Sequence, residues 1–193
     1  MNQKQNKNQT NSQKTSQTHD VFGLGHQLID ISIHVDFDEL SVFDVKKGTQ
    51  SFVSQDQIQK LYKLVAKTPH NIGVGGGVRN TLQGLSQLKN QVSYCSRIGS
   101  DKFGKQVLKN LEENNIINRL IFDQPDTGFC IVLITPDGDR SMITYGGDAG
   151  ELSDFEIPIS EVENAKIVHT SCYMLQDIHR EKLFKKCLAH SYH

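Results

Sequence analysis

Apolar and polar residues alternate strictly from Ile29 to Phe37: Ile29, Ile31, Ile33, Val35 and Phe37 fall on one side of an extended chain, Asp30, Ser32, His34 and Asp36 on the other. Successive strand side chains point to opposite faces, so this stretch predicts a strand with one buried and one wet face. Just before it, Val21-Phe22-Gly23-Leu24-Gly25 reads as a short buried strand. Ser54-Gln55-Asp56-Gln57 has the form of a capping box, and Ile58, Leu61, Tyr62 and Val65 supply the apolar stripe of the helix behind it, which ends before Pro69. A glycine run at 73–77 opens a second helix, with Val78, Leu82, Leu85 and Leu88 at helical spacing. Val92 to Ile98 is a further strand. Ser100 or Asp101 then caps a helix that buries Phe103, Val107, Leu108 and Leu111.

The helix and strand periods alternate, and that rhythm predicts a parallel sheet with helices over its faces. Gly128 to Thr135 and Arg140 to Tyr145 read instead as an antiparallel pair, with hairpin chemistry in Pro136-Asp137-Gly138-Asp139. With the strand at Ile29 they form a small mixed or antiparallel sheet apart from the parallel one. Ala165 to Ser171 returns to a core strand, and Asp177 caps a last helix carrying Ile178, Leu183, Phe184 and Leu188.

Composition narrows the class. Residues 1–19 contain Asn, Gln, Lys, Ser and Thr in abundance and too little apolar surface to offset ordering entropy, so they are expected to be a disordered tail. A formal net charge of −1 gives no general basis for gripping nucleic acid or an anionic membrane. No apolar run reaches the length of a membrane span. The four cysteines, Cys95, Cys130, Cys172 and Cys187, include no Cys-x-x-Cys pair and read as reduced thiols, which sets a cytoplasmic default. His190 and His193 have no further metal-ligand types at suitable spacing.

Candidate chemistry gathers at the glycine run. Gly73-Val74-Gly75-Gly76-Gly77-Val78-Arg79-Asn80 lets a ligand approach main-chain N–H groups at a helix start; a glycine run of this kind serves equally as a plain turn. There is no Gly-Lys-Ser/Thr and hence no P-loop. The dinucleotide fingerprint fails twice, since Leu28 stands for the third glycine after Gly23-Leu24-Gly25, and Val78 after Gly73-Val74-Gly75. Both failures count against a Rossmann oxidoreductase.

What remains is Gly-Gly-x-x-x-Asn at the head of an apolar helix, followed by Arg97-Ile98-Gly99-Ser100-Asp101-Lys102-Phe103-Gly104. That pair resembles the first signature of the ribokinase-like (pfkB-type) carbohydrate and nucleoside kinases, over about residues 20 to 175. Gly25-His26-Gln27-Leu28-Ile29-Asp30 is similar to the Gly-Asn-x-x-x-Asp of that family, and Val35-Asp36-Phe37-Asp38-Glu39-Leu40 through Lys47-Gly48 looks most like the adenosine-kinase-like branch.

The resemblance implies an α/β fold: a ribokinase-like Rossmann-type parallel sheet flanked by helices, with a small β-sheet lid and incomplete at the C-terminus. Residues 20–193 are then the N-terminal part of such a domain, with lid strands at about 29–37 and 128–145. It implies that Asp30 accepts hydrogen bonds from sugar hydroxyls, that the main chain at Gly75 and Gly76 with the Asn80 amide binds the sugar's other edge, and that Cys130 and Met142 face the base or ring. Arg140 matches a lid arginine that reaches phosphates. ATP and magnesium are the implied cofactors, a sugar or nucleoside the substrate, and a homodimer through the lid an implied partner; neither nucleic acid nor membrane is expected. Three positions depart from the family pattern: His26 replaces its asparagine, Leu82 stands where a small residue usually follows the asparagine, and Ser100 replaces an acidic residue. The second signature, Gly-Ala-Gly-Asp, which would carry the catalytic base, is absent; the nearest run is Tyr145-Gly146-Gly147-Asp148-Ala149-Gly150. Two readings follow: a truncated kinase, inactive by itself, that belongs to enzymes moving the ATP γ-phosphate to a sugar hydroxyl, or a non-catalytic binding or dimerisation module derived from one.

Overall fold

Gly23 lies in the middle of β1 (Val21–Leu24), and the room left by its missing side chain decides how the first layer packs. The computed structural model describes residues 19–124, 126–147, 152–153, 155–175 and 178–191. β1 is flanked in parallel by β5 (Val92–Gly99) and β9 (Ile167–Thr170), and β6 (Ile117–Gln124) extends the sheet beyond β5, giving the order β6-β5-β1-β9. On one face α2 (Gly77–Gln87) and α3 (Lys102–Glu113) bury Val78, Leu82, Phe103, Val107 and Leu111. A Cβ on Gly23 would stand 2.5 Å from Leu82 Cδ1, so α2 lies closer to the strand than any larger residue permits. The other face packs Phe22, Leu24 and Cys95 against α4 (Ile159–Asn164) and α5 (Ile178–His190) through Val162, Leu183 and Cys187. Every residue of β5 is buried, as expected for a strand covered on both sides.

The second sheet has the order β3-β8-β7-β2-β4, formed by β2 (Ile29–His34), β3 (Gln50–Phe52), β4 (His70–Val74), β7 (Thr127–Ile134) and β8 (Arg140–Gly147). It is mixed: β2 runs parallel to β7 and antiparallel to β4, β7 and β8 form the antiparallel hairpin, and β3 joins β8 in parallel. One face buries Ile29, Ile31, Ile33, Phe129, Ile131, Leu133 and Ile143 in a core shared with Ile58 and Val65 of α1 (Gln55–Val65). The other face carries Asp30, Ser32 and His34 in register with Cys130, Val132 and Ile134.

Several sequence expectations need correction. The strand at Ile29 ends at His34, five strands rather than three build the sheet, and Phe37 is 52% exposed because the chain has turned into a 3-10 segment, Asp38–Phe43. Leu88 lies past the end of α2 and is 75% exposed; Ile178 and Leu188 of α5 are exposed too. The strand β6 carries no clear alternation and was not anticipated. The expected tail lies outside the described residues up to 18; His19, its last member, is buried beside Glu161 at 3.2 Å. The cap expected from Asp177 also lies outside them. Asp101 caps α3, its carboxylate accepting from Gly104 N at 2.8 Å. All four cysteines are free. Among the described residues no helix is long and apolar enough to cross a membrane.

Candidate functional site

The chain passes from the parallel sheet to the second sheet and back through short segments, and Asp30, Gly75, Gly76 and Asn80 lie in or beside them, whereas Cys130, Arg140 and Met142 stand on β7 and β8. Residues 25–28 link β1 to β2, while Gly75 and Gly76 link β4 to α2. Gln27, fully buried, knots the two links: its side-chain Nε2 donates to the carbonyls of Leu28 (2.7 Å) and Gly75 (3.1 Å), and its own N–H donates to Ser96 Oγ at 3.1 Å. Gly75 N in turn donates to Leu28 O at 2.9 Å. Its Oε1 is buried without a hydrogen-bond partner among the described residues, so the Nε2 and N–H donors are what tie the two links together.

Asp30 sits on the far side of this knot. A Cβ on Gly75 would lie 2.4 Å from Asp30 Oδ1 and 2.6 Å from Oδ2, so the carboxylate occupies the space above the Gly75 Cα. Gly76, the residue before α2, holds φ +94°, a conformation that glycine adopts without steric cost. Asp30 is half-buried, and among the described residues no protein donor hydrogen-bonds its carboxylate. Burial raises its pKa above the ordinary value, while the charge of Arg79 pulls it back. A half-buried carboxylate without a donor is a strong acceptor for hydroxyl groups brought by a ligand.

A hollow of about 550 Å³ opens beside it, lined by Asp30, Cys130, Val132, Gly138, Asp139, Arg140 and Met142. Four predicted residues, Asp30, Cys130, Met142 and Arg140, therefore line one cavity on the wet face of the second sheet. Cys130 is only 6% exposed; Thr144 Oγ1 lies 3.5 Å from its sulfur, and burial raises its thiol pKa. Arg140 is exposed at the hairpin, and its guanidinium makes no ion pair among the described residues. Gly75, Gly76 and Asn80 do not line this hollow; Gly75 is connected to it by the Asp30 carboxylate seated against it. Asn80 stands on the first turn of α2 with its side chain exposed and its Oδ1 accepting from Arg79 Nη1 at 2.7 Å.

Gln27 and Arg79 were not singled out by sequence reasoning. A charged residue next to Val78 and three before Leu82, inside the apolar stripe of α2, is the signal that marks Arg79; nothing local marks Gln27. His26, in the place of the family asparagine, pairs through Nε2 with Gly146 O at 3.1 Å and so ties the β1–β2 link to the end of β8.

A second hollow, of about 380 Å³, lies on the covered side of the sheet between α1 and the start of α3, lined by Ile58, Tyr62, Phe103, Phe129 and Tyr145 among others. It includes none of the predicted residues, and the Asp101 carboxylate at its edge is already engaged by Gly104 N and Thr127 Oγ1. Among the described residues no group of three His, Cys, Asp or Glu side chains is placed to hold a metal ion.

The sequence pattern of the pfkB family carbohydrate kinases matches residues 55–189. An adenosine kinase of Dictyostelium discoideum is 27% identical over 155 residues, 78% of this chain and 44% of that protein. Among solved structures, the adenosine kinase of Sinorhizobium meliloti superposes with a TM-score of 0.81 at 21% identity, over 91% of this chain and 54% of that one. The adenosine kinase of Schistosoma mansoni in complex with 2-fluoroadenosine gives 0.79 at 25% identity, over 91% and 53%. The chain thus spans about half the length of these relatives, and its two sheets with their helices have the adenosine-kinase fold.

Proposed function

Because this chain belongs to the pfkB family of carbohydrate kinases, we propose that its hollow at Asp30 is the acceptor site of an adenosine-kinase-like phosphotransferase and takes the sugar of a nucleoside. The observation that carries the reading is the Asp30 carboxylate, half-buried against Gly75 without a protein donor and lining the same cavity as Cys130, Met142 and Arg140. A nucleoside sugar offers adjacent hydroxyls, which donate to a carboxylate and accept from an amide. Asp30 supplies the first and Asn80 the second. The apolar walls at Cys130, Val132 and Met142 suit a flat base, and Arg140 at the rim suits the phosphate side.

The activity of the relatives moves the γ-phosphate of ATP to a sugar hydroxyl. ATP, when bound, supplies the phosphoryl group; of the residues predicted here, Arg140 is the one assigned to its phosphates, supported by its place in the lining of the Asp30 hollow, and no described cluster fits magnesium. The residues at hand bind and orient the acceptor, and none is assigned as a base. Orientation is a substantial part of such catalysis, since phosphoryl transfer depends on in-line placement of the attacking hydroxyl.

Titration calorimetry of the full chain with adenosine, ribose and fructose, beside an ATP-consumption assay, tests the reading. Adenosine is expected to bind, to bind more weakly to Asp30→Ala, and to cause no ATP turnover with this chain alone. Absence of binding by any nucleoside or sugar, or equal affinity in Asp30→Ala, overturns the assignment. Turnover comparable to an intact kinase would overturn only the expectation of inactivity and place a base in this chain.

A further inference from the structure

Arg79 is the single charged residue of α2, and it is only 4% exposed. A buried arginine normally faces a carboxylate. Here Nη1 donates to the carbonyl of Val74 at 3.1 Å and to Asn80 Oδ1 at 2.7 Å, while Nη2 donates to the side-chain oxygen of Asn110 on α3. No carboxylate lies within ion-pairing distance among the described residues, and Nε is buried without a hydrogen-bond partner. The guanidinium therefore sits behind the glycine link with neutral hydrogen-bond acceptors and no ion pair among the described residues.

Its chemistry settles the orientation of Asn80. A guanidinium has donors and no acceptor, so the Asn80 atom facing it is the carbonyl oxygen and the amide NH2 is turned away. The same group ties Val74, the last residue of β4, immediately before the link that seats Asp30.

We propose that Arg79 is a positioning residue of the acceptor site, holding the Asn80 amide with its NH2 donors presented outward and, through the Val74 carbonyl, steadying the link that seats Asp30. The role toward a ligand rests on the nucleoside reading given above; the effect on Asn80 and Asp30 does not. Charge acts beside this geometry. Burial raises the Asp30 pKa and Arg79 opposes it; burial lowers the Arg79 pKa, with Tyr94 and Asp30 acting against that. The other titratable groups around Asp30 are Cys130 from β7 and, at the mouth, Asp139 and Arg140 of the hairpin.

The competing role is a tether, in which Arg79 merely joins α2 to α3 through Asn110. Three variants of the full chain separate the two. Arg79→Lys keeps the charge and loses the planar fork; Arg79→Gln loses the charge; Asn110→Ala removes the tether and leaves the Asn80 contact. In ligand-free protein, the Asp30 carboxyl carbon is followed by NMR across a pH titration, together with the Asn80 side-chain NH2 signals. Asp30 is expected to titrate higher in Arg79→Gln than in the parent and close to the parent in Arg79→Lys. The Asn80 NH2 signals are expected to shift in both arginine variants and to stay in place in Asn110→Ala.

Calorimetry with adenosine should then show roughly tenfold weaker binding for Arg79→Lys and a loss at least as large for Arg79→Gln, with Asn110→Ala within about twofold of the parent, in line with the usual cost of a displaced polar contact. Unchanged Asp30 titration in Arg79→Gln together with unmoved Asn80 signals overturns the proposal and leaves a tether. If Arg79→Gln fails to fold, Arg79→Lys decides through Asn80, where unmoved signals overturn the positioning role. Failure of the parent to bind adenosine overturns the nucleoside reading instead, and the ligand-free titrations still decide Arg79.

Discussion

Two glycines mark the two ends of a contrast in this chain, one inside β1 and one just past β4, and they use the absent side chain in opposite ways. At Gly23 on β1 the vacant space is filled by Leu82, fully buried, and by Val78. At Gly75 after β4 the vacant space is filled by a carboxylate, that of Asp30. The first serves packing, drawing α2 onto the parallel sheet. The second leaves the carboxylate half-buried and, among the described residues, without a protein donor, which is the feature on which the proposed acceptor site rests. The same α2 touches both ends, with Leu82 and Val78 pressed on β1 and with Arg79 reaching back to Val74. Sequence alone reads the first as part of a short buried strand and the second as a glycine run before a helix, and neither reading shows what fills the vacant space.

The largest expected effect lies at the packing end. Leu82→Ala should lower the unfolding free energy by about 2–5 kcal/mol in urea titrations, the usual cost of emptying a fully buried leucine site. Gly23→Ala should cost about 1–3 kcal/mol by overpacking. The double variant should cost less than the two combined, because the alanine methyl then enters the space Leu82 leaves. Full additivity would show that the two residues do not share that space.

At the chemical end the loss should fall on binding. Asp30→Ala removes a charge-assisted contact worth about 1.5–3 kcal/mol, roughly ten- to hundredfold in adenosine affinity by calorimetry. Gly75→Ala should weaken binding in the same direction by displacing the carboxylate, with a smaller loss in the melt than Gly23→Ala. A Gly75→Ala protein that melts early yet binds normally would erase the contrast between the two ends.

A finer effect is the pH dependence of the Asp30 site. Its folded pKa is raised, so the folded state holds a proton that the unfolded chain has already released. That contribution to stability is full below the ordinary carboxylate value and is lost as pH rises through the folded value; adenosine affinity should rise over the same window, since the ionised form is the acceptor. Asp30→Asn should flatten both curves, and equally steep curves in that variant would assign them to another group.

The smallest effect is expected at Asp137 in the β7–β8 turn, outside both glycine ends. Hydrogen bonds from Lys47 and Thr135 hold its carboxyl down at about 2, so what it contributes is present above the ordinary carboxylate value and is lost as pH falls toward that figure. Asp137→Asn should leave adenosine affinity unchanged and shift acid unfolding only slightly. A marked loss of affinity would extend the site to the turn.

Where periodicity was strong the elements were legible, because it is a local property: the alternation at Ile29–Ile33 and the stripes Val78/Leu82 and Phe103/Val107/Leu111 are buried as their spacing predicts. Boundaries were less legible. Leu88 continues the stripe of α2 on paper, yet Lys89 takes φ 68° and the helix has ended, so the side chain meets water. The strands β3 and β4 pass unseen because they are half-exposed, and their pairing with β8 and β2 rather than their own composition makes them strands.

The sequence by itself determined which groups stand out as candidates: the carboxylate of Asp30 amid an apolar alternation, a glycine run before an amide at Asn80, an arginine beside a turn. Only the tertiary structure decided how they meet. Gln27 reaches Gly75 across 48 residues and Arg79 reaches Asn110 across 31, and neither contact leaves a mark in local periodicity. The reason is physical: a strand or helix is specified by neighbours within a turn or two, whereas the seat of Asp30 depends on two chain segments brought within van der Waals contact by the packing of whole layers.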